Sequence, residues 1–224
     1  GVVLDNLMQF LDRESPKMLS PKAISPYIVC PLKFYFTSIA RIRATEELAD
    51  EIDNPMFGTI LHKATEILYT PLKGIASNAE YLKQMLKGKR IEQAVEQAIN
   101  EEFLNNKDAS TEDYTGNMVL VKNIVSKYIR QSIIPYDIAH NDFAVMELEK
   151  RISDKFKLDD NREVLIGGYA DRIDSLGNGD IRVVDYKTGR SNLDISGVSS
   201  LFEGEKCYEK GNLLQTMIYS RKLL

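Results

Sequence analysis

The amino-acid sequence predicts an α+β fold, and three observations carry that expectation. Apolar residues recur at helical spacing from the N-terminus to about Pro135, the period then changes to two, and a helical pattern returns from about Gly211. The 224 residues are 43% hydrophobic and 28% charged, an ordinary globular composition that excludes disordered and fibrous chains. The length fits one domain with an elaborate insertion. The expectation is therefore a single domain, 1–224, with a mainly helical part at 1–135 and a β-meander with a closing helix at 136–224. The chain lacks an initiator Met and stops abruptly at RKLL, so both ends read as cuts from a longer polypeptide.

In the first part, Leu4, Leu7, Met8 and Leu11 form one helical stripe. Ser20-Pro21 has the form of an N-cap followed by proline in the first turn of a helix. A further helix starts at Pro31, with Phe34, Tyr35, Ile39 and Ile42 at helical spacing. From Pro55 to Tyr69 the pattern buries Met56, Ile60, Leu61, Ala64, Ile67 and Leu68. Two longer helical stretches follow, 77–104 and 112–133, the second capped by Thr111. They are rich in helix formers and mixed charges and read as a structural insertion. In the second part, 143–157 and 163–174 alternate on either side of an Asp159-Asp160-Asn161 turn. Gly177-Asn178-Gly179 leads into a third alternating run at 180–187. This predicts a three-stranded antiparallel meander. A linker follows Gly189, then the closing helix.

The net charge of −4 argues against a free-standing module that holds nucleic acid by bulk electrostatics, since such modules are usually basic. It leaves room for a nucleic-acid enzyme whose grip is local or supplied by a partner. Cys30 and Cys207 are far apart and lack C-x-x-C spacing. They make neither a disulfide framework nor a zinc site, and a reducing cytoplasmic compartment is the default. No apolar run approaches the ~18–20 residues that cross a bilayer, so no membrane partner is expected. The opening residues lack the form of a signal peptide.

Chemistry concentrates in the meander. Alternation puts Ile181, Val183, Asp185 and Lys187 on one face, and Leu165, Gly167, Tyr169, Asp171 and Ile173 on one face of the preceding strand. A hairpin turned at Gly177–Gly179 sets Asp171 beside Asp185. Two carboxylates and a lysine at the end of an apolar row each need desolvation and pairing. A hard divalent cation, Mg²⁺ or Mn²⁺, removes that cost. The plain alternative is an Asp–Lys ion pair at a strand end. Upstream, Gly58 and His62 lie one turn apart on a helix face opposite the apolar stripe. There the glycine permits close backbone approach and the imidazole is a possible third ligand. The alternative for His62 is a surface pairing with Glu66.

The order G-x-x-x-H, G-Y-A-D-R-I-D, V-V-D-Y-K-T-G and Q-x-x-x-Y (Gln215 to Tyr219) resembles the PD-(D/E)xK nuclease superfamily. Its closest branch is the RecB-type exonuclease domain of AddB-like DNA-repair proteins. Ser25 to Phe36, S-P-Y-I-V-C-P-L-K-F-Y-F, is similar to that branch's cysteine-proline segment, and the resemblance runs from about Ser20 to Tyr219. It implies a restriction-endonuclease-like core and a metal-dependent deoxyribonuclease. It also implies single-stranded DNA or duplex ends as substrate, and a helicase-like domain or subunit as partner.

On this resemblance, His62, Asp171 and Asp185 ligate Mg²⁺ or Mn²⁺, and Lys187 positions or activates the attacking water. Glu149 matches an acidic position lining the same site, and Glu147 shares its face by alternation. Gln215 and Tyr219 match a motif facing the active site and the DNA backbone, with packing of Tyr219 on the sheet as its alternative. Arg190 can reach a phosphate, with simple solvation as its alternative, whereas Arg172 points to the other face of its strand and reads as structural. Some relatives hold an iron–sulfur cluster with one early and three late cysteines. Here only Cys30 has a matching position, so a cluster is not expected and Cys30 reads as a small buried hydrophobe. The superfamily core also ends on a strand beyond the closing helix; this sequence stops at Leu224, so that strand either lies beyond these residues or the core is truncated. A catalytically silent nuclease-like fold, structural or DNA-binding, is the rival reading. A plain α+β domain with a coincidental ion-pair cluster is the third.

Overall fold

The computed structural model describes residues 2–11, 17–42, 51–75, 79–159, 162–189, 195–202 and 210–223. Arg190, Cys207 and most of the linker after Gly189 lie outside them. The mixture of helices with a three-stranded antiparallel meander, in the order β1-β2-β3, is the expected α+β fold. The strands are β1 (Phe143–Lys157), β2 (Glu163–Leu176) and β3 (Ile181–Val184). The chain divides into two compact units, 1–46 with 151–170 and 189–224, and 47–150 with 171–188, so the division falls within β1 and β2.

The second unit carries the larger core. Helix α4 (Asn54–Tyr69) starts where the Asp53 carboxylate accepts the Met56 N–H at 2.9 Å, with Pro55 in the first turn. It buries Ile60, Leu61, Ala64, Leu68 and Tyr69. The stretch expected as one helix over 77–104 is two, α5 (Ala79–Lys87) and α6 (Arg90–Glu102). The break at Gly88 is held by the Arg130 guanidinium, which bonds the Leu86 carbonyl, the Gly88 carbonyl at 3.4 Å and Glu92 at 2.6 Å. A side chain thus satisfies carbonyls that a continuous helix would have paired.

The expected 112–133 helix also differs. A short 3₁₀ turn (Thr111–Asp113) comes first, and its cap is Ser110 rather than Thr111. Then come α7 (Gly116–Tyr128), a π turn (Ile129–Ile133) and α8 (Ile134–Ala139). Pro135 therefore does not end the helical part: the widened turn before it absorbs its ring and missing N–H. The hairpin after Leu176 is as expected, with Gly179 at φ +91° and the Asn178 side chain accepting the Asp180 N–H at 3.0 Å. Val183 and Val184 pair with Ile173 and Arg172.

In the first unit, α1 (Val2–Met8) and α2 (Pro21–Val29) are followed by α3 (Pro31–Phe34), which runs into a π turn at Tyr35–Ile39. Ser20 caps α2 as expected, accepting the Ala23 N–H at 3.2 Å. Cys30, between α2 and α3, is half-buried. Leu19 pairs with β2, donating to Leu165 at 2.8 Å and accepting from Gly167 at 3.1 Å. The closing helix α9 is Gly211–Leu223. Among the described residues no helix is long and apolar enough to cross a membrane.

Candidate active site

Three of the expected residues meet in the second unit. A ring nitrogen of His62 on α4, a carboxylate oxygen of Glu149 on β1 and one of Asp171 on β2 all lie within 4.8 Å of one another. His62 Nδ1 is 3.3 Å from Asp171 Oδ1. The Glu66 pairing considered for His62 is not what holds it, since Glu66 bonds Lys63 at 3.0 Å.

His62 Nε2 stands 2.8 Å from the Tyr186 carbonyl oxygen. A carbonyl has no hydrogen to give, so Nε2 is the donor, and Nδ1 is the nitrogen that faces Asp171 and has the lone pair whenever the ring is neutral. The other oxygen of Asp171, Oδ2, accepts the backbone N–H of Tyr186 at 2.6 Å. Tyr186 therefore grips both residues with its main chain. This also explains why β3 stops at Val184 instead of reaching 187: the Tyr186 N–H and C=O are spent on site side chains rather than on the ladder. The register continues to set Asp171 opposite Asp185, whose charge Asp171 feels. Asp185 and Lys187, just past the strand, pair with each other at 2.5 Å.

Glu149 reaches the group through an unusual backbone. Its φ is +47° in the middle of β1, a left-handed conformation that disfavours side chains with a Cβ. It interrupts alternation, as a bulge does. The expectation that Glu147 shares its face therefore fails: Glu147 turns to Lys73 at 2.5 Å and Lys150 at 3.6 Å. Gly58 differs too. A Cβ there would meet the Thr188 hydroxyl at 3.7 Å, an ordinary contact, so packing within the chain does not require glycine.

Burial pushes the Asp171 carboxyl above the usual range and the Asp185 charge adds to it, opposed by His62, the Tyr186 N–H and Lys187. Glu149 is exposed as a residue, but its carboxyl is partly desolvated. That, followed by the charge of Asp171, raises it as well. Crowded carboxylates beside an imidazole lone pair form a donor set that fits one hard divalent cation.

Behind this group lies a set of buried charges. Arg172 is 1% exposed and clamps Asp137 of α8 with two bonds of 2.8 and 3.0 Å, as well as Asp174 at 3.0 Å. Its guanidinium covers the Tyr69 ring at 4.3 Å and donates to the Tyr186 hydroxyl at 3.0 Å. Tyr69 bonds the same Asp137, and Arg182 joins Asp174 at 2.8 Å. The structural reading of Arg172 agrees with this placement. Asp137 was not anticipated, because it follows the proline at which the helical pattern was expected to end.

Gln215 and Tyr219 lie on α9, in the first unit. Gln215 donates to the Tyr219 hydroxyl at 3.0 Å, and that hydroxyl donates to the Tyr169 carbonyl at 2.9 Å. Tyr219 is 3% exposed, and the role its geometry supports is to pin β2.

Residues 18–220 match the family model of the PD-(D/E)XK nuclease superfamily, and the chain belongs to that superfamily. Among similar proteins are two from Streptococcus pyogenes, of serotypes M49 and M6, each named as a subunit of an ATP-dependent helicase/deoxyribonuclease. They are 23% and 24% identical to it over 180 residues. The matched region is 80% of this chain but 15% of each relative, so the chain spans a small part of their length.

Proposed function

We propose that this chain is a single nuclease domain that hydrolyses phosphodiesters of DNA with Mg²⁺ or Mn²⁺. Its substrates in this reading are single strands or duplex ends, degraded exonucleolytically within a cytoplasmic repair or recombination machine. The observation that carries the reading is the convergence of His62, Glu149 and Asp171 beside the Asp185–Lys187 pair. The relatives' names, which join helicase and deoxyribonuclease, support DNA as the substrate and a helicase-like partner.

In this reading His62, Glu149 and Asp171 hold the cation, with Asp185 the further carboxylate beside Asp171. A divalent cation bound there supplies positive charge that polarises the phosphoryl group and lowers the pKa of water. The Tyr186 carbonyl keeps the His62 Nδ1 lone pair available, and the Tyr186 N–H fixes which oxygen Asp171 presents. Asp185 orients Lys187, whose ammonium donates to the phosphoryl oxygen as negative charge accumulates in the transition state. The water oxygen bonds to phosphorus, the ester P–O bond breaks, and the water's proton passes through solvent to the leaving oxygen. Gln215 and Tyr219 act by fixing the strand at Tyr169, and Arg190 adds a positive charge for the phosphate backbone.

The test is calorimetry with Mn²⁺ together with cleavage of end-labelled single-stranded and duplex DNA. One binding event is expected that Asp171→Asn abolishes, with cleavage stopped by EDTA and absent in that variant. Metal binding without cleavage would instead support the silent, DNA-binding reading. Unchanged Mn²⁺ affinity in Asp171→Asn would remove the metal site.

A further inference from the structure

The first unit carries a long basic stretch within this acidic chain. Between Lys17 and Ile42 the sequence holds Lys17, Lys22, Lys33 and Arg41 and no acid at all. The same stretch turns large rings outward: Tyr27 is 56% exposed and Phe36 42%, with Tyr35 and Leu32 exposed beside them. Rings normally go inside, and an outward row of them marks a surface with a partner.

The rings form two contacting groups. Phe34 lies against Phe10 and takes Tyr27 edge-on at 5.6 Å, and Tyr35 and Phe36 stand edge to face at 5.3 Å. Cations lie among them along the sequence, Lys33 before Tyr35 and Phe36 and Arg41 after. The Lys17 ammonium sits over the Phe10 ring at 4.6 Å, and Arg41 is tied to Gln9 at 3.1 Å. Arg41 has φ +55° where the chain leaves the π turn, and the Ile42 N–H closes that turn on the Phe36 carbonyl at 2.9 Å. Lys17 and Arg41 are near enough that, after burial, the Arg41 charge is what lowers the Lys17 ammonium. The fold has brought these two like charges together.

Protein interfaces favour aromatic residues but are depleted in lysine. A surface that alternates rings with cations fits a polyanion with flat, exposed faces instead. Duplex bases are stacked on each other and unavailable, so the polymer is single-stranded. We infer that the face formed by Tyr27, Lys33, Tyr35, Phe36 and Arg41 is a stacking platform for single-stranded DNA. The rings take bases and the cations take phosphates, without sequence preference. The choice of DNA as the polymer rests on the nuclease reading above; the stacking chemistry does not.

The test uses the full chain in EDTA, so that nothing is cut. Anisotropy of a labelled oligothymidylate of about 20 nucleotides is compared with that of a blunt duplex of the same length. The single strand should bind more tightly. Phe36→Ala and Tyr35→Ala should each weaken it by about tenfold, the scale of one missing base stack. Lys33→Glu should make the salt dependence shallower, by a slope of about 0.7 for each phosphate no longer neutralised. Should Phe36→Ala fail to fold, Phe36→Leu keeps apolar bulk without the ring face and gives the same readout.

Parental affinity in the ring variants, no single-strand binding by the parent, or a preference for duplex would each overturn the inference. So would light scattering that shows the parent self-associating and Phe36→Ala monomeric with unchanged DNA affinity. Hydrolysis of bis(p-nitrophenyl) phosphate by the parent with Mn²⁺ tests the nuclease reading separately. Hydrolysis with unaffected ring variants sinks the platform alone, and weakened binding without hydrolysis sinks the nuclease reading alone.

Discussion

The hydroxyl of Tyr219 occupies the space that a side chain on residue 168 would need: a Cβ built on Gly168 falls 2.3 Å from that oxygen. The hydroxyl is held there by the Tyr169 carbonyl and by Gln215. Gly168→Ala should therefore lower stability by about 1–3 kcal/mol, the range for overpacked sites. Tyr219→Phe alone should cost about 1 kcal/mol, through the hydrogen bond lost at the Tyr169 carbonyl. Combined, the two should cost less than their sum, because removing the oxygen makes room for the methyl. Urea unfolding of the four proteins gives the cycle, and strict additivity would contradict the steric coupling.

Glu149 offers a separation of backbone from charge. At φ +47° glycine is free of the strain that alanine or glutamate bears, roughly 1–2 kcal/mol. Glu149→Gly should therefore be more stable than Glu149→Ala by about 1 kcal/mol, the reverse of the usual order within a strand. Both variants should bind Mn²⁺ more weakly. Thermal melts that rank alanine above glycine would show that the strand relaxes out of the left-handed conformation.

Arg172 is the central member of the buried charge set. Arg172→Met leaves Asp137 and Asp174 short of a counter-charge in the interior, and the expected loss is about 3–5 kcal/mol. Mutating an exposed pair such as Arg162–Asp159 should leave the midpoint nearly unchanged, since solvent screens such pairs. Denaturant midpoints on the two variants make the comparison, and a near-neutral Arg172→Met would mean the cluster does not support the fold.

Much of this architecture is legible in the sequence where the determinant is local. The Ser20-Pro21 start, the bounds of β1 and the turn at Gly177–Gly179 each follow from a few adjacent residues. His62 and Asp171 stand in recognisable motifs, and Glu149 is indicated by the family resemblance. What escaped depends on partners far along the chain. The helix break at Gly88 is held by Arg130, the burial of Asp137 by Arg172, and the early end of β3 by His62 and Asp171. The left-handed backbone at Glu149 escaped for another reason, since glutamate carries no signal for positive φ.

Lys187 is expected to act on the phosphate rather than on the cation. Lys187→Met should retain Mn²⁺ affinity within a few-fold in calorimetry. Its cleavage should fall by about 10²–10³, as when one aimed donor is removed from a transition state. The ion pair with Asp185 is partly exposed, so stability should change by no more than about 1 kcal/mol. A variant that cuts at the parental rate would leave the pair a purely structural one.

The grip of Tyr186 on His62 and Asp171 is made entirely by a peptide N–H and a peptide C=O. Every residue the genetic code can place at 186, proline aside, carries the same two groups. The clamp is thus hidden from alanine scanning and from sequence comparison: tyrosine can be exchanged while the clamp persists. Only an edit to the main chain reaches it, such as an ester in place of the Asp185–Tyr186 amide, which deletes the N–H and leaves every side chain as it was.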